Sequence, residues 1–298
     1  MDHVTQPDLL LEPEFLSRLE RLTLLSRRLY RSGVRGERRS STLGRGIEFA
    51  DYRSYQVGDD FRYIDWNIYS RLDRLFVKLF SEEEDINVHL FVDASRSMGW
   101  GQPSKLGYAV RVAAALGYIG LSNLDRVGAV GFTDRPARVL APRRGRGGVF
   151  TLFRFLGGIT PEGRSNLAAT LAEYSLRTRR RGVLVVISDL MFPDGIADGL
   201  RLARFHRFEP FLVHLLSDEE LVPMVEGDLK LIDSETGAAV EVTADAATAE
   251  AYARVRDRLF AEIEQFCLRH QIEYLRAATS IPFEDLILRY LRAGGLIA

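Results

Sequence analysis

The sequence predicts an α/β protein with a mostly parallel, doubly wound sheet, and three observations predict it. Asn87-Val-His-Leu-Phe-Val92 and Gly182-Val-Leu-Val-Val-Ile-Ser-Asp189 are apolar, β-branched runs of strand length. Such runs alternate with segments of helical periodicity, as in βαβ units covered by helices on both faces. Both runs end on an aspartate with a hydroxyl beside it, which places two carboxylates at one edge of the sheet. Ligands of open α/β sheets bind outside that edge, where the strand order reverses.

The elements follow in order. Residues 13 to 31 carry Phe15, Leu16, Leu19, Leu22, Leu25 and Leu29 at helical spacing, a stripe that must bury against the chain's own core or against a partner; the former is the commoner outcome. Residues 32 to 45 are rich in Gly, Ser and Arg without periodicity and read as a basic loop. Nine arginines stand from Arg18 to Arg45 against Glu20 and Glu37, but Tyr30 is the single aromatic residue among them and no stacking series is interleaved, so nucleic acid is not the expected partner. After the first buried strand, Ser104 to Leu121 has small and apolar residues around most of its circumference, as a helix packed on a sheet would. Arg126 to Phe132 is the next strand and Ala137 to Leu140 an antiparallel edge. Arg143-Arg-Gly-Arg-Gly-Gly148 lacks the Gly-Lys-Ser/Thr ending of a P-loop and reads as a basic turn before a helix over 149 to 157. Pro161-Glu-Gly-Arg-Ser165-Asn-Leu167 feeds another helix. A helix over 194 to 208, a strand from Phe211 to Leu215, a hairpin near 228 to 242, a helix from Ala246 to His270, a strand from Glu273 to Leu275 and a helix from Pro282 complete a Rossmann-like layout. The expected division is 1–80, an N-terminal helical and loop attachment, and 81–298, the sheet domain.

Composition bounds the function. With 298 residues and 46% hydrophobic content the chain can bury a full core, and a formal net charge of −1 gives no field toward nucleic acid or anionic lipid. The single cysteine, Cys267, excludes an internal disulfide and fits a reducing compartment. The start Met-Asp-His-Val-Thr-Gln-Pro-Asp has no basic or apolar region of a signal peptide, and Arg111 interrupts the nearest candidate for a membrane span, 106 to 121. A cytoplasmic location is expected.

Asp93-Ala-Ser95-Arg-Ser97 presents one carboxylate and two hydroxyls at a strand end, a cup of hard oxygens suited to Mg²⁺. The alternative is that Asp93 and Ser95 only cap the next helix. Asp189 and Ser165, the latter at a helix start, add oxygens that favour the cup. The five histidines show no pair at zinc-ligand spacing, and His89 and His214 read as strand residues. No acyl-transfer elbow is present. A Mg²⁺-dependent phosphatase or phosphotransferase using Asp93 as nucleophile is the enzymatic alternative, but Ser95 stands where a second acid would protonate the leaving group. The chain is therefore expected not to be an enzyme.

Asp93-x-Ser95-x-Ser97, the loop hydroxyl and the distal Asp189 resemble the metal-ion-dependent adhesion site of von Willebrand factor A domains. A preceding stretch, Gly46-Ile-Glu48-Phe49, Asp51-Tyr-Arg53-Ser-Tyr55, Gly58-Asp59-Asp60-x-Arg62-x-Ile64-Asp65-Trp66, Arg71 and Phe76-Val-Lys78, resembles the signature of bacterial domain-of-unknown-function family fifty-eight, the von Willebrand factor A-like proteins associated with MoxR-type AAA+ ATPases. The resemblance implies that Ser95, Ser97 and Ser165 bind Mg²⁺ or Mn²⁺ directly, with Asp93 and Asp189 in the site directly or through water. With few carboxylates among the ligands, weak binding is expected. The family pattern has threonine where Ser165 stands, and Thr160 is the rival for that position. A partner's carboxylate would complete the shell, and the implied role is an adaptor for a MoxR-type AAA+ ATPase in a chaperone-like assembly. A static scaffold whose metal only stabilises loops is the remaining alternative. Glu48, Arg53, Asp59, Asp60, Arg62, Asp65 and Trp66 form either a recognition surface or, as Arg–Asp pairing and the bulk of Trp66 favour, a charge-paired structural clamp.

Overall fold

The computed structural model describes residues 10–33, 48–81, 86–134, 136–178, 180–191, 195–223 and 227–292. Two compact units emerge, one from the first helix together with the residues from Ile86 onward, the other from the segment 48–81. The elements are α1 (Pro13–Gly33), β1 (Glu48–Ser54), α2 (Trp66–Leu72), β2 (Phe76–Ser81), β3 (Asn87–Asp93), α3 (Lys105–Ser122), β4 (Arg126–Phe132), β5 (Pro136–Arg144), α4 (Val149–Gly157), α5 (Leu167–Arg177), β6 (Val183–Ser188), α6 (Ile196–Phe205), β7 (Glu209–Leu216), α7 (Asp218–Leu221), β8 (Gly227–Ile232), β9 (Ala239–Ala244), α8 (Ala246–Arg269), β10 (Glu273–Ala278) and α9 (Phe283–Arg292). The expected basic loop falls largely on 34–47, outside the described residues.

The larger unit is built on a six-stranded sheet of order β10-β7-β6-β3-β4-β5. All neighbours are parallel except β4 and β5. From β3 the chain moves one way to β4 and β5, then returns to β6, β7 and β10 on the other side. The order therefore reverses between β3 and β6, which end at Asp93 and Ser188, and both predicted carboxylates emerge at that point. The α/β, largely parallel architecture is as the sequence predicts.

Alternation along the buried strands divides the core in two. Val88, Leu90 and Val92 face a cluster with α1, α3, α4 and α9, whereas Phe91, Val130 and Phe132 face one with α5, α6 and α8. Ser104 caps α3 by accepting from Gly107 N at 3.1 Å. At Gly182 an added Cβ would sit 2.2 Å from Asn87 O, so the entry to β6 passes against β3 with no room for a side chain. Helix α1 docks on the core through Phe15, Leu19 and Leu22. Phe15 meets Phe153 and Phe283 at centroid distances of 6.3 and 5.4 Å, and Arg18 bonds Glu284 at 3.1 Å. That placement differs from a grouping of 1–80 as one attachment, because α1 belongs with the sheet. Leu25 remains 41% exposed.

His89 and His214 are strand residues sealed in the core, as expected, and each Nδ1 meets a tyrosine hydroxyl at 2.8 Å, of Tyr174 and Tyr274 respectively. Burial, with help from Arg181, pushes His89 down to about 4. The unfolded chain, with an ordinary imidazole, therefore takes up a proton that the folded chain refuses. The stability this residue supports is present above about pH 6.5 and is lost as pH falls toward 4. Urea unfolding at about pH 7.5 and about pH 5 should show wild type losing on the order of 2 kcal/mol more than His89→Leu over that interval. Parallel losses in both proteins would contradict the assignment.

Candidate functional site

The site is built where β3 and β6 end. Asp93, the last residue of β3, is fully buried. Its Oδ1 accepts from Ser95 N at 2.9 Å and from the Ser165 hydroxyl, and its Oδ2 accepts from Ser188 Oγ at 2.5 Å. Ser95 Oγ and Ser97 Oγ lie 3.0 Å apart, Ser95 buried and Ser97 part-buried. The extended backbone of Ser95 leads into a single tight turn over Arg96–Gly99, and the Ser95 side chain makes no capping bond to it. The helix-cap alternative for Ser95 is thereby answered. Ser165 precedes α5, whose cap is Asn166; Glu162 N bonds Ala94 O at 2.7 Å and Arg96 N bonds Gly163 O at 3.2 Å, tying this loop to the strand end. The structure thus brings Ser165, and not the exposed Thr160, to Asp93.

Asp189 follows β6, 1% exposed, and its environment contains a cation that the sequence reading did not assign. Lys105, at the start of α3 and wholly buried, bonds Asp189 Oδ2 at 2.7 Å and also bonds Glu220 Oε1. Glu220 belongs to a capping box with Ser217, its Oε2 accepting from Ser217 N at 2.9 Å. Burial pushes the Lys105 ammonium down, but Asp189 and Glu220 more than offset it and leave it raised. For Asp93, burial and the neighbouring Asp189 charge raise the carboxyl to about 6 against the lowering effect of its hydroxyl donors. Glu235, in the turn between β8 and β9, is part-buried, and burial followed by the charge of Asp189 raises its carboxyl against the lowering effect of the Ser97 and Ser95 hydroxyls.

Among the described residues no three His, Cys, Asp or Glu side chains are grouped as a metal cluster. The donor set here is of another kind, seryl hydroxyls with two carboxylates, all hard oxygens of the type that Mg²⁺ accepts. Lys105 is shared between Asp189 and Glu220, while Asp93 is held by hydroxyl and amide donors, a set whose chemistry suits a small divalent cation. Lys105 was legible in principle as a cation at the head of a largely apolar helix. Glu235 lay in a segment read only as a turn.

The signature segment 48–81 forms its own unit. Strands β1 and β2 pair antiparallel, and Asp65 caps α2 by accepting from Asn67 N and Ile68 N at 2.9 and 3.2 Å. Asp65 Oδ2 also accepts from Tyr52 OH and Lys78 Nζ, each at 3.0 Å, and Lys78 leads the interactions that hold its carboxyl at about 2. Arg53 Nη2 contacts both oxygens of Asp59 at 2.8 and 3.0 Å, and Arg62 pairs with Asp60 at 2.6 Å. Asp59, Asp60, Asp65, Arg53 and Arg62 are thus occupied in pairing within the unit. Trp66 does not anchor it, being 58% exposed with its ring edge-on to Tyr69, because it starts a short helix whose residues are all at least partly exposed. Glu48 begins β1 opposite Ser81.

A family model described as "Protein of unknown function DUF58" matches residues 51–259. The chain belongs to that family. This DUF58 protein is 28% identical over 248 residues to "Uncharacterized protein Rv1480" of Mycobacterium tuberculosis (strain ATCC 25618 / H37Rv), covering 82% of this chain and 78% of that one, with the same figures for "Uncharacterized protein Mb1516" of Mycobacterium bovis. Among solved structures it is similar to the conserved hypothetical protein BatB from Bacteroides thetaiotaomicron, with 14% identity, TM-score 0.45 and coverage of 71% of this chain and 98% of that one. It is also similar to the SpRpn10 VWA domain, with 12% identity, TM-score 0.38 and coverage of 69% and 94%. The fold class rests on the sheet order itself rather than on these likenesses.

Removing the Lys105 charge leaves Asp189 and Glu220 without their counter-ion inside the protein. Lys105→Met should therefore cost about 3–5 kcal/mol in urea unfolding, as expected for one partner taken from a buried pair. A change of less than about 1 kcal/mol would mean that the triad is not held as described.

Proposed function

We propose that this DUF58 protein is a non-enzymatic recognition module that engages its partner through a divalent ion, and that it acts as an adaptor for a MoxR-type AAA+ ATPase in a chaperone-like assembly. The convergence of Asp93, Ser95, Ser97 and Ser165 at the reversal of strand order is the observation that carries the reading. Ser95, Ser97 and Ser165 would hold Mg²⁺ or Mn²⁺, with Asp93 and Asp189 joining directly or through water. When bound, the ion would supply an acceptor for a partner's Asp or Glu carboxylate. The ATPase as partner rests on the family resemblance alone. A cytoplasmic setting is inferred from the lone, buried Cys267, whose thiol burial raises to about 12. Among the described residues no helix is long and apolar enough to cross a membrane.

Binding is favoured over phosphoryl transfer on geometry. Both Asp93 oxygens already accept hydrogen bonds in a buried setting, which suits an orienting carboxylate better than a nucleophile. Lys105, the buried cation beside the cup, is committed to two carboxylates and is not available to a phosphate.

Calorimetric titration should give Mg²⁺ binding to wild type and none to Asp93→Ala, with the fold of the variant intact by circular dichroism. Unchanged affinity in Asp93→Ala would refute the assignment. Capture of the candidate ATPase should be lost on chelation while the protein stays folded, whereas a scaffold with a loop-stabilising metal would bind equally with and without chelator. Purified protein should hydrolyse neither ATP nor p-nitrophenyl phosphate; turnover that disappears in Asp93→Asn would favour the phosphatase reading.

A further inference from the structure

The amino ends of the parallel strands carry a second concave site, remote from the cup. Arg126 starts β4 level with Asn87 whereas Phe132 is level with Asp93, so about 20 Å of strand separates the two edges. There a cavity of about 410 Å³ lies among the start of β4, the end of α5 and the edge strand β5, within the size range of small-molecule sites. Arg126, Arg177 and Arg180 line it together with Val139, Ala141 and Pro142, and among the described residues no carboxylate does. Strand alternation puts the half-buried Arg126 on the face of Val130 and Phe132, which α5 covers, and so brings it to the end of that helix, where Arg177 is the last residue. Tyr174 lines the cavity too, but its hydroxyl is engaged with His89 Nδ1.

The ordinary reason for cations at such a place is the set of carbonyls that a helix leaves unpaired at its C-terminus. Arg181 already serves those of α5, donating to Thr178 O at 2.5 Å and to Ser175 O at 3.2 Å, with its guanidinium 4.9 Å from the centroid of the Phe208 ring. Arg177 pairs with Glu173 at 2.6 Å one turn back, a largely exposed pair of the kind that contributes little and exchanges readily. The Arg180 guanidinium has no ion pair or hydrogen bond among the described residues. Two of the three cations are therefore weakly held or unpaired beside an apolar wall.

We propose that this cavity binds a phosphomonoester with a small apolar body, the phosphate held by Arg126, Arg177 and Arg180 and the body laid against Val139, Ala141 and Pro142. A phosphate monoester carries about 1.5 to 2 negative charges near pH 7 and three strong acceptor oxygens. It therefore answers guanidinium forks from separate elements better than a carboxylate, which one arginine can satisfy. Free phosphate would leave the apolar wall wet, so an organic substituent adds affinity. The proposal does not depend on the divalent-ion reading of the cup.

Calorimetric titration of the full chain with inorganic phosphate, phenyl phosphate and phenol tests it, with EDTA present so that the cup takes no part. Phenyl phosphate should bind one to one and roughly tenfold more tightly than inorganic phosphate, while phenol should not bind. Arg177→Gln and Arg180→Gln, at exposed positions that leave the fold intact, should each weaken phenyl phosphate by about tenfold or more. Val139→Asp, on the exposed edge strand, should abolish binding, and Asp93→Ala should bind as wild type does. Equal phenyl phosphate affinity in wild type, Arg180→Gln and Val139→Asp would place the ligand elsewhere and overturn the proposal. Equal affinity of wild type for the two anions would remove the apolar wall from the site, and with it the class of ligand proposed. An absence of saturable binding to wild type at millimolar concentration would overturn the proposal outright and leave the cup untouched.

Discussion

Two carboxylates delivered to neighbouring strand ends inside the protein set the central physical problem of this structure. Asp93 and Asp189 emerge side by side because β3 and β6 are parallel neighbours, and each is at most 1% exposed. Like charges in a poorly solvated setting repel and resist ionisation, as the upward displacement of Asp93 records. Each element around the site answers part of that repulsion. The loop before α5 brings the Ser165 hydroxyl to Asp93, β6 brings Ser188, and α3 begins with the ammonium that neutralises Asp189.

The compensation is incomplete, and that incompleteness is what the proposed function draws on. Lys105 neutralises one carboxylate and is shared with Glu220, while Asp93 has hydroxyl and amide donors but no bonded cation among the described residues. Hydroxyls can turn their lone pairs from a proton-donating role to an ion. The cup is therefore suited to a proton or to a divalent cation, and its choice between them is the basis of the recognition proposed here.

Much of the frame was readable from side-chain periodicity. β-branched runs ending on aspartates mark β3 and β6, and the helical stripe of Phe15, Leu19 and Leu22 announces that α1 is buried. Strand order was constrained by the position of the carboxylates, since a shared site requires their strands to be close. What periodicity does not reveal is which polar side chains meet over long sequence separations. Lys105 reaches Glu220 across more than a hundred residues, and Ser188 reaches Asp93 across 95. Trp66 shows the converse error. Bulk suggested an anchor, but Trp66 stands at the head of a short exposed helix, edge-on to Tyr69 and 58% exposed.

The most direct measurement of the central claim is the anomalous diffraction of Mn²⁺ in crystals of the protein grown with the ion. A single peak at coordination distance from the Ser95 and Ser97 hydroxyls, with Asp93 and Asp189 in its first or second layer of ligands, is the predicted result. A saturating concentration of Mn²⁺ that leaves no peak there, with Lys105 and the seryl hydroxyls satisfying the two aspartates unaided, would contradict it.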